Sequence, residues 1–306
     1  MNVVFMGTPD FAVKSLEQII KDGHNVLAVY TKADAPKGRK MVLTPSDVKV
    51  CALEHNLTVY TPDTFKDEAE VERLKALNPD LIVVVAYGKL LPKSVLDIPK
   101  YGCVNVHGSI LPKWRGAAPI QWTVLSGDEY GGVTTMYMNE GLDTGDMIFT
   151  HKVKVGENET SGELFDRLCV DGAELLSKTI DAIKEGTAPR IPQNNDEATY
   201  ASMLSKELSE IDFKKSAKDV HNKVRGLSPW PSAQTKLFGK RLKVLETRVS
   251  HKSGEAGKVI ATNPLTVACG EGSVEIVRLQ PEGKRAMTAS DYMMGHSIEL
   301  GTVFGE

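Results

Sequence analysis

The chain has 306 residues, of which 41% are hydrophobic and 25% are charged, and its formal net charge is −3. This composition is typical of a globular protein and excludes a disordered chain, while the length suggests two domains. A membrane span needs about 18 or more consecutive apolar residues, and no such run occurs. The four cysteines are widely spaced, and the N-terminus enters a strand pattern without a charged leader. We therefore expect a cytoplasmic protein without membrane spans, disulfides or a metal site.

The first half of the chain alternates short apolar runs with helical patterns. Strands are predicted over 2–6, 26–31, 81–86, 103–106 and 133–138, and helices over 11–21 and 68–77. Because residues 81–86 are almost continuously apolar, they match a parallel strand that is covered on both faces. This rhythm predicts a doubly wound, Rossmann-like α/β domain with a mostly parallel sheet.

The second half changes character after a long predicted helix. Thr160 and Glu163 form a capping-box pattern that opens this helix, which runs to about residue 183. A shorter helix is predicted over 216–225, and five short strands follow, at 234–238, 241–248, 257–261, 264–269 and 273–279. Closely spaced strands separated by turns predict a small β-barrel of the OB type. We expect a catalytic domain over 1–188, a linker over 189–205 and a C-terminal domain over 206–306.

The turn after the first strand argues against the common nucleotide cofactors. It reads Met6-Gly-Thr-Pro-Asp10, with a single glycine, and neither a dinucleotide fingerprint nor a P-loop occurs in the chain. A doubly wound sheet without these motifs still has a crevice at the carboxyl ends of its strands. The sequence therefore predicts a site of another kind at that edge.

Asn105 and His107 lie two positions apart at the end of an apolar strand, so their side chains should point to one face. An amide can hold a developing oxyanion and an imidazole can move a proton, which together suit chemistry at a carbonyl. A histidine with a purely structural role is the alternative. The later loop Gly141-Leu-Asp-Thr-Gly-Asp146 offers two carboxylates, Asp143 and Asp146, and either could face the imidazole.

The segment from Asn105 to Gln121, with the Gly141–Asp146 loop behind it, resembles the 10-formyltetrahydrofolate-dependent formyltransferase family. The resemblance spans the whole chain, from Phe5-Met-Gly-Thr-Pro-Asp-Phe11 to the C-terminal tail. Trp114-Arg-Gly-Ala-Ala-Pro119 is similar to the tRNA and sugar branches of the family. Arg225-Gly-Leu-Ser-Pro-Trp-Pro231 is similar to the start of the family's second domain.

The resemblance also implies roles for individual residues. It implies Asn105, His107 and Asp143 as the catalytic residues, and so selects the first aspartate of the loop. It implies that the folate co-substrate contacts two segments: Ser109, Ile110, Leu111 and Pro112, and the backbone of Ala86, Tyr87 and Gly88. Ile110 stands where the family has leucine, which preserves apolar bulk. The stretch 34–40 corresponds to a loop that reaches the acceptor end of the tRNA, through Lys37, Arg39 and Lys40.

Positive charge is concentrated in the second half of the chain. Residues 214–258 contain 12 Lys and Arg but three Asp and Glu, an excess that suits a polyanionic partner. The alternative is an ordinary solvated surface. The candidates for contacts with tRNA phosphates are Lys206, Lys214, Lys215, Lys218, Arg225, Lys240, Arg241 and Lys243.

We expect a monomeric enzyme that transfers the formyl group of 10-formyltetrahydrofolate to the amino group of methionine esterified to initiator tRNA. Three alternatives stay open: an amino-sugar N-formyltransferase, a formyltetrahydrofolate hydrolase or dehydrogenase module, and a non-catalytic RNA-binding protein on this scaffold. The basic C-terminal half favours tRNA over a sugar. The presence of Asn105, His107 and Asp143 together argues against a non-catalytic protein.

Overall fold

The structure is a computed structural model that describes residues 1–38 and 40–305. The chain forms two compact units. Unit 1 comprises 1–116, 132–153 and 165–200, and unit 2 comprises 117–131, 154–164 and the residues from Ala201 onward. Two short segments within 1–188, namely 117–131 and 154–164, are therefore grouped with unit 2. The domain bounds 1–188, 189–205 and 206–306 stay a prediction.

Seventeen strands are present in the described residues. They are β1 (Asn2–Gly7), β2 (Asn25–Tyr30), β3 (Ala35–Lys37), β4 (Val42–Thr44), β5 (Val59–Tyr60), β6 (Leu81–Val85), β7 (Cys103–His107), β8 (Arg115–Gly116), β9 (Tyr130–Tyr137), β10 (Met147–Lys154), β11 (Tyr200–Ala201), β12 (Ala233–Leu237), β13 (Lys240–Ser250), β14 (Val259–Thr262), β15 (Leu265–Ala268), β16 (Ser273–Pro281) and β17 (Met287–Thr288).

The same residues contain eight α-helices and three short 3-10 helices. The α-helices are α1 (Val13–Lys21), α2 (Asp47–Glu54), α3 (Glu68–Ala76), α4 (Lys93–Leu96), α5 (Pro119–Leu125), α6 (Ser161–Glu185), α7 (Ala217–Gly226) and α8 (Ala289–Gly295). The 3-10 helices are Asp10–Ala12, Asn195–Glu197 and Lys206–Ser209. None of the helices in the described part of the chain is both long enough and apolar enough to cross a membrane.

Unit 1 is built on a seven-stranded sheet with the strand order β10-β9-β7-β6-β1-β2-β5. The pairs around β1, β2, β5, β6 and β7 are parallel, and β9 runs antiparallel to β7. All five residues of β6 are buried, because a central parallel strand is covered on both faces. The predicted Rossmann-like domain is confirmed, and its parallel strands place the ends of β6 and β7 at one edge of the sheet.

Unit 2 contains a six-stranded antiparallel sheet, ordered β12-β13-β16-β15-β14 with β17 beside β16. The strand β13 pairs along most of its length with β16, and Val244, Val274 and Ile276 contribute to a buried apolar cluster. Each of the five predicted strands is present, shifted by a few residues at its ends. The sheet is consistent with the small barrel that the sequence predicts.

Several elements differ from the sequence prediction for identifiable reasons. The strand β10 was not predicted, because most of its side chains are exposed or half-buried and no apolar alternation results. Helix α5, which was not predicted from the sequence, begins at Pro119, because proline is well tolerated in the first turn of a helix. The start of α6 is as predicted: Glu163 N donates to Thr160 Oγ1, and Thr160 N donates to Glu163 Oε2.

Candidate active site

Strand β7 carries the first two candidate residues to the carboxyl edge of the unit 1 sheet. It lies between β6 and β9, with Asn105 paired to Val84 on one side and to Met136 on the other. Asn105 is half-buried and His107 is buried, at alternate positions of one strand, so both side chains lie on one face. Within the residues that the structure describes, the Asn105 amide makes no hydrogen bond to the chain. Its two N–H donors are therefore available to a substrate.

Each nitrogen of the His107 ring has a defined neighbour. Nε2 lies 2.9 Å from the carbonyl oxygen of Trp114. Because a carbonyl oxygen can only accept, Nε2 carries a proton and donates it. Nδ1 faces Asp143 Oδ2 at 3.7 Å.

The Gly141–Asp146 loop brings one of its two carboxylates to the histidine. Asp143 has φ +53°, in the left-handed region that non-glycine residues seldom adopt, and its Oδ2 accepts from Gly116 N at 2.8 Å. Asp146 instead lies 3.6 Å from Arg190 Nη1. The structure thus brings Asp143, and not Asp146, to His107.

The segment Ser109–Pro112, which the resemblance assigns to folate, divides into buried and accessible positions. The Ser109 hydroxyl donates to Lys113 O at 2.6 Å, and Ser109 and Leu111 are buried. Ile110 and Pro112 are half-buried. The Ser109 side chain therefore supports the turn, and Ile110 and Pro112 are the positions left accessible to a ligand.

The residues Ala86, Tyr87 and Gly88 follow the end of β6. Ala86 and Gly88 are exposed and both have positive φ, while the Tyr87 ring is buried in the core of unit 1. Burial raises the pKa of Tyr87 to about 12, so this phenol is neutral at physiological pH. Thr8 Oγ1 donates to the Tyr87 carbonyl oxygen at 3.1 Å. Ala86 and Gly88 are thus the accessible residues of this segment, and their contact with a ligand stays a prediction.

The basic loop predicted over 34–40 is part of a small exposed hairpin formed by β3 and β4. Lys37 and Lys40 are exposed, and Arg39 lies outside the described residues. Three apolar side chains at the end of the hairpin, Met41, Val42 and Leu43, are also exposed. The sequence analysis did not single out these three.

Most candidate tRNA contacts of unit 2 lie at its surface. Lys206, Lys214, Lys215, Lys218, Lys240 and Arg241 are exposed, and Lys243 is half-buried. Strand pairing places Lys236 opposite Arg241 and Gln234 opposite Lys243, so these four side chains share one face of the β12–β13 hairpin.

Arg225 does not fit the phosphate contact that the sequence predicts. It is buried on α7, where Nε donates to Asn222 Oδ1 and Nη1 donates to the carbonyl oxygens of Gly156 and Glu159. Because its guanidinium donates to a side chain and to backbone carbonyls inside unit 2, Arg225 is a structural residue. The sequence around Arg225 does not distinguish a buried structural arginine from an exposed phosphate contact.

Two further residues were missed by the sequence analysis. Phe238 is 59% exposed at the tip of the β12–β13 hairpin, where it and Gly239 both have positive φ. A two-residue turn of this kind normally takes asparagine and glycine, so a bulky aromatic residue there is unusual and could have been noticed. Gln193, in the predicted linker, contacts the Asp143 loop through its side-chain amide, and a polar proline-rich stretch gave no sign of this.

Cys103, on the site strand, is buried, and burial raises the pKa of its thiol to about 12. Across 1–38 and 40–305, no three His, Cys, Asp or Glu side chains are grouped so that they could hold a metal ion.

Comparisons with known proteins identify the family of this chain. Residues 1–180 match the family model for formyl transferase, and residues 203–297 match the model for its C-terminal domain. The chain is 48% identical to methionyl-tRNA formyltransferase of Lachnospira eligens, with all of both chains covered.

Two solved structures share the fold at low identity. An N-formyltransferase from Helicobacter canadensis, in complex with folinic acid and dTDP-3-aminofucose, is 20% identical with a TM-score of 0.68, covering 91% of this chain and 98% of that one. HypX from Aquifex aeolicus, in complex with tetrahydrofolic acid, is 16% identical with a TM-score of 0.64. That match covers 98% of this chain, which spans 50% of the HypX chain.

Proposed function

The chain belongs to the formyl transferase family, and on that premise we propose that it transfers the formyl group of 10-formyltetrahydrofolate to the amino group of methionine on initiator methionyl-tRNA. The observation that carries the proposal is the 48% identity to a methionyl-tRNA formyltransferase over the full length of both chains. The convergence of Asn105, His107 and Asp143 at the end of β7 supports a catalytic role.

The residues at the sheet edge fit a folate co-substrate. Accessible backbone at Ala86 and Gly88 supplies donors and acceptors beside β6, and half-buried Ile110 and Pro112 supply apolar surface. We assign the pterin-bearing co-substrate to these positions. When bound, it supplies the formyl carbon, whose oxygen gains negative charge as an amine adds to it.

Asn105 is assigned to stabilise the negative charge that develops on the formyl oxygen. Its amide makes no hydrogen bond within the described residues, and its half-buried position lowers competition from water. A single donor aimed at an oxyanion typically contributes about 10²–10³ in rate. Asn105 therefore stabilises the transition state more than the ground state, since its contact strengthens as the charge develops.

His107 and Asp143 are assigned to proton control. Because Nε2 donates to the Trp114 carbonyl, a proton on Nδ1 makes the ring a cation whose charge is balanced by the Asp143 carboxylate 3.7 Å away. In this arrangement Nε2 of His107 already donates its proton to the Trp114 carbonyl oxygen, so it is not the base. His107 acts instead as a cation that is fixed in place. Asp143 then accepts the proton that the attacking amine loses, directly or through water. As the bond between the formyl carbon and N10 of the co-substrate breaks, that proton would pass to N10, so that tetrahydrofolate leaves as the neutral amine. A positioned acid–base group typically contributes about 10²–10⁴ in rate.

Recognition of the tRNA is assigned to basic side chains. In unit 1 these are Lys37 and Lys40, together with Arg39, and in unit 2 they are Lys206, Lys214, Lys215, Lys240, Arg241 and Lys243. Phosphate contacts of this kind supply affinity that falls as salt rises. The exposed Phe238 ring, two residues from Lys236 and from Lys240 in sequence, suits a stacked base, because aromatic rings together with cations bind unpaired nucleotides.

The test is formyl transfer from 10-formyltetrahydrofolate to charged initiator methionyl-tRNA, with elongator methionyl-tRNA and a dTDP-linked amino sugar as parallel acceptors. We expect transfer to the initiator tRNA to dominate. Transfer to the amino sugar alone would replace this proposal with a sugar N-formyltransferase. Release of formate without any acceptor dependence would indicate a hydrolase.

A further inference from the structure

We propose that Gln193 is a positioning residue for formyl transfer, whose side-chain amide fixes the Asp143 loop so that the Asp143 carboxylate faces His107. This inference rests on the proposed function, because Gln193 acts through a residue to which that function assigns a proton. Gln193 itself is not placed in contact with either substrate.

The Gln193 amide spans the turn that contains Asp143. Nε2 donates to the carbonyl oxygens of Asp143 and of Gly145, each at 2.8 Å. These two carbonyls flank Thr144, so one NH2 group ties together the backbone on both sides of the turn. The loop also packs tightly against β9, since the Tyr137 carbonyl oxygen leaves no room for a Cβ at Gly145.

Arg115 determines which way the Gln193 amide faces. This arginine is 2% exposed, and its Nε and Nη2 donate to Gln193 Oε1 at 3.1 and 2.8 Å. A guanidinium can only donate, so the amide oxygen must face Arg115. The NH2 group must then face the two carbonyls, which can only accept. Arg115 therefore fixes the orientation of the Gln193 amide, and through it the direction of the hydrogen bonds that Gln193 donates to the Asp143 loop.

The Asp143 backbone needs such a restraint. Its φ of +53° lies in a region where non-glycine residues persist only when the surrounding structure holds them. In that conformation Oδ2 reaches Gly116 N at 2.8 Å and His107 Nδ1 at 3.7 Å. If the Gln193 bonds are lost, the loop can relax and the carboxylate moves away from the imidazole.

The experiment compares Gln193→Glu and Gln193→Ala with the matched control Asn195→Ala. The Gln193→Glu substitution keeps an acceptor for Arg115 but removes the N–H donors for the loop carbonyls. Asn195 Oδ1 accepts from Arg115 Nη2 at 2.8 Å, and no contact joins it to the Asp143 loop within the described residues. Steady-state formyl transfer is measured across pH for each variant, with the melting temperature recorded alongside.

We expect both Gln193 substitutions to lower kcat by about 10- to 10²-fold, as small misplacements of catalytic groups do, with KM for both substrates little changed. The kcat–pH profile should also change, because the Asp143 carboxylate no longer faces His107 Nδ1. Asn195→Ala should stay within about twofold of wild type, since it lies at the surface. Unchanged kcat and pH profile in folded Gln193 variants, or a loss matched by Asn195→Ala, would overturn the proposal.

A double-variant cycle separates positioning from general stabilisation. If Gln193 acts through Asp143, adding Gln193→Ala to Asp143→Asn should cost almost nothing further, because groups that act as a unit are non-additive. Full additivity would refute the proposal. Failure of the proposed function is distinguishable, because the wild-type protein would then show no formyl transfer.

Discussion

The candidate active site of unit 1 and the basic surface of unit 2 use charged groups in opposite ways. In unit 1, His107 and Arg115 are buried, and each hydrogen-bonds to a defined atom in a defined direction. In unit 2, Lys240 and Arg241 are exposed on a hairpin. A buried group depends on its exact hydrogen bonds, so a single substitution there should have a large effect. Exposed cations each contribute a small part of the tRNA affinity, so a single substitution among them should have a small effect. The contrast predicts how severely each region should respond to substitution.

The largest expected effect is in the buried site. Asp143→Asn keeps the shape of the side chain but removes the negative charge that faces His107 Nδ1, so kcat should fall by about 10²–10⁴. Binding of methionyl-tRNA, measured by filter retention, should be unchanged. A normal kcat would show that proton control does not depend on this carboxylate.

The next effect contrasts two arginines of unit 2. Arg225→Ala leaves the carbonyls of Gly156 and Glu159 without their charged donor, and the loss of a hydrogen bond to a charged group typically costs about 1.5–3 kcal/mol. Arg241→Ala removes an exposed side chain and should leave stability within about 0.5 kcal/mol. Melting temperatures of both variants check this difference. Equal melting temperatures would contradict the structural role of Arg225.

A smaller and salt-dependent effect is expected on the hairpin. Single substitutions Lys240→Ala, Arg241→Ala and Lys243→Ala should each weaken tRNA binding and reduce the slope of log affinity against log salt by about 1 or less. The rate of formyl transfer at saturating tRNA should not change. A loss of kcat without a change in salt slope would show that these residues do not act through phosphate contacts.

The smallest effect concerns pH and the buried His221 of unit 2. Its Nε2 donates to Glu157 O and its Nδ1 accepts from Thr247 Oγ1, and burial lowers its pKa from 6.5. The unfolded chain therefore binds more protons than the folded chain below about pH 6.5, so stability falls as pH decreases through that value. Melting curves from pH 7 to 5 should show this fall, and His221→Gln should reduce it. An equal pH dependence in the variant would exclude His221 as the source.

The sequence predicts the active site better than the basic surface, and the reason is physical. A continuous apolar run such as β6 must be a covered central strand, and residues at its end and at the end of β7 must meet at one edge. Spacing along β7 then places Asn105 and His107 together without knowledge of the rest. The choice of Asp143 over Asp146 came from the resemblance, because spacing alone left both aspartates possible.

Other features depend on contacts between residues far apart in sequence. Arg225 resembles its basic neighbours in composition, and its burial results from the positions of the Gly156 and Glu159 carbonyls. Gln193 lies 50 residues from Asp143, in a polar stretch without periodicity. Local pattern carries no information about such pairings, so these two roles became visible only in three dimensions.

We propose that Asn105, with His107 and Asp143, catalyses formyl transfer to methionyl-tRNA. The most direct test is single-turnover transfer with excess enzyme, comparing wild type with Asn105→Ala at saturating 10-formyltetrahydrofolate and initiator methionyl-tRNA. We predict a rate about 10²–10³ lower for the variant, with tRNA affinity unchanged. An unchanged single-turnover rate in a folded Asn105→Ala protein would contradict this claim.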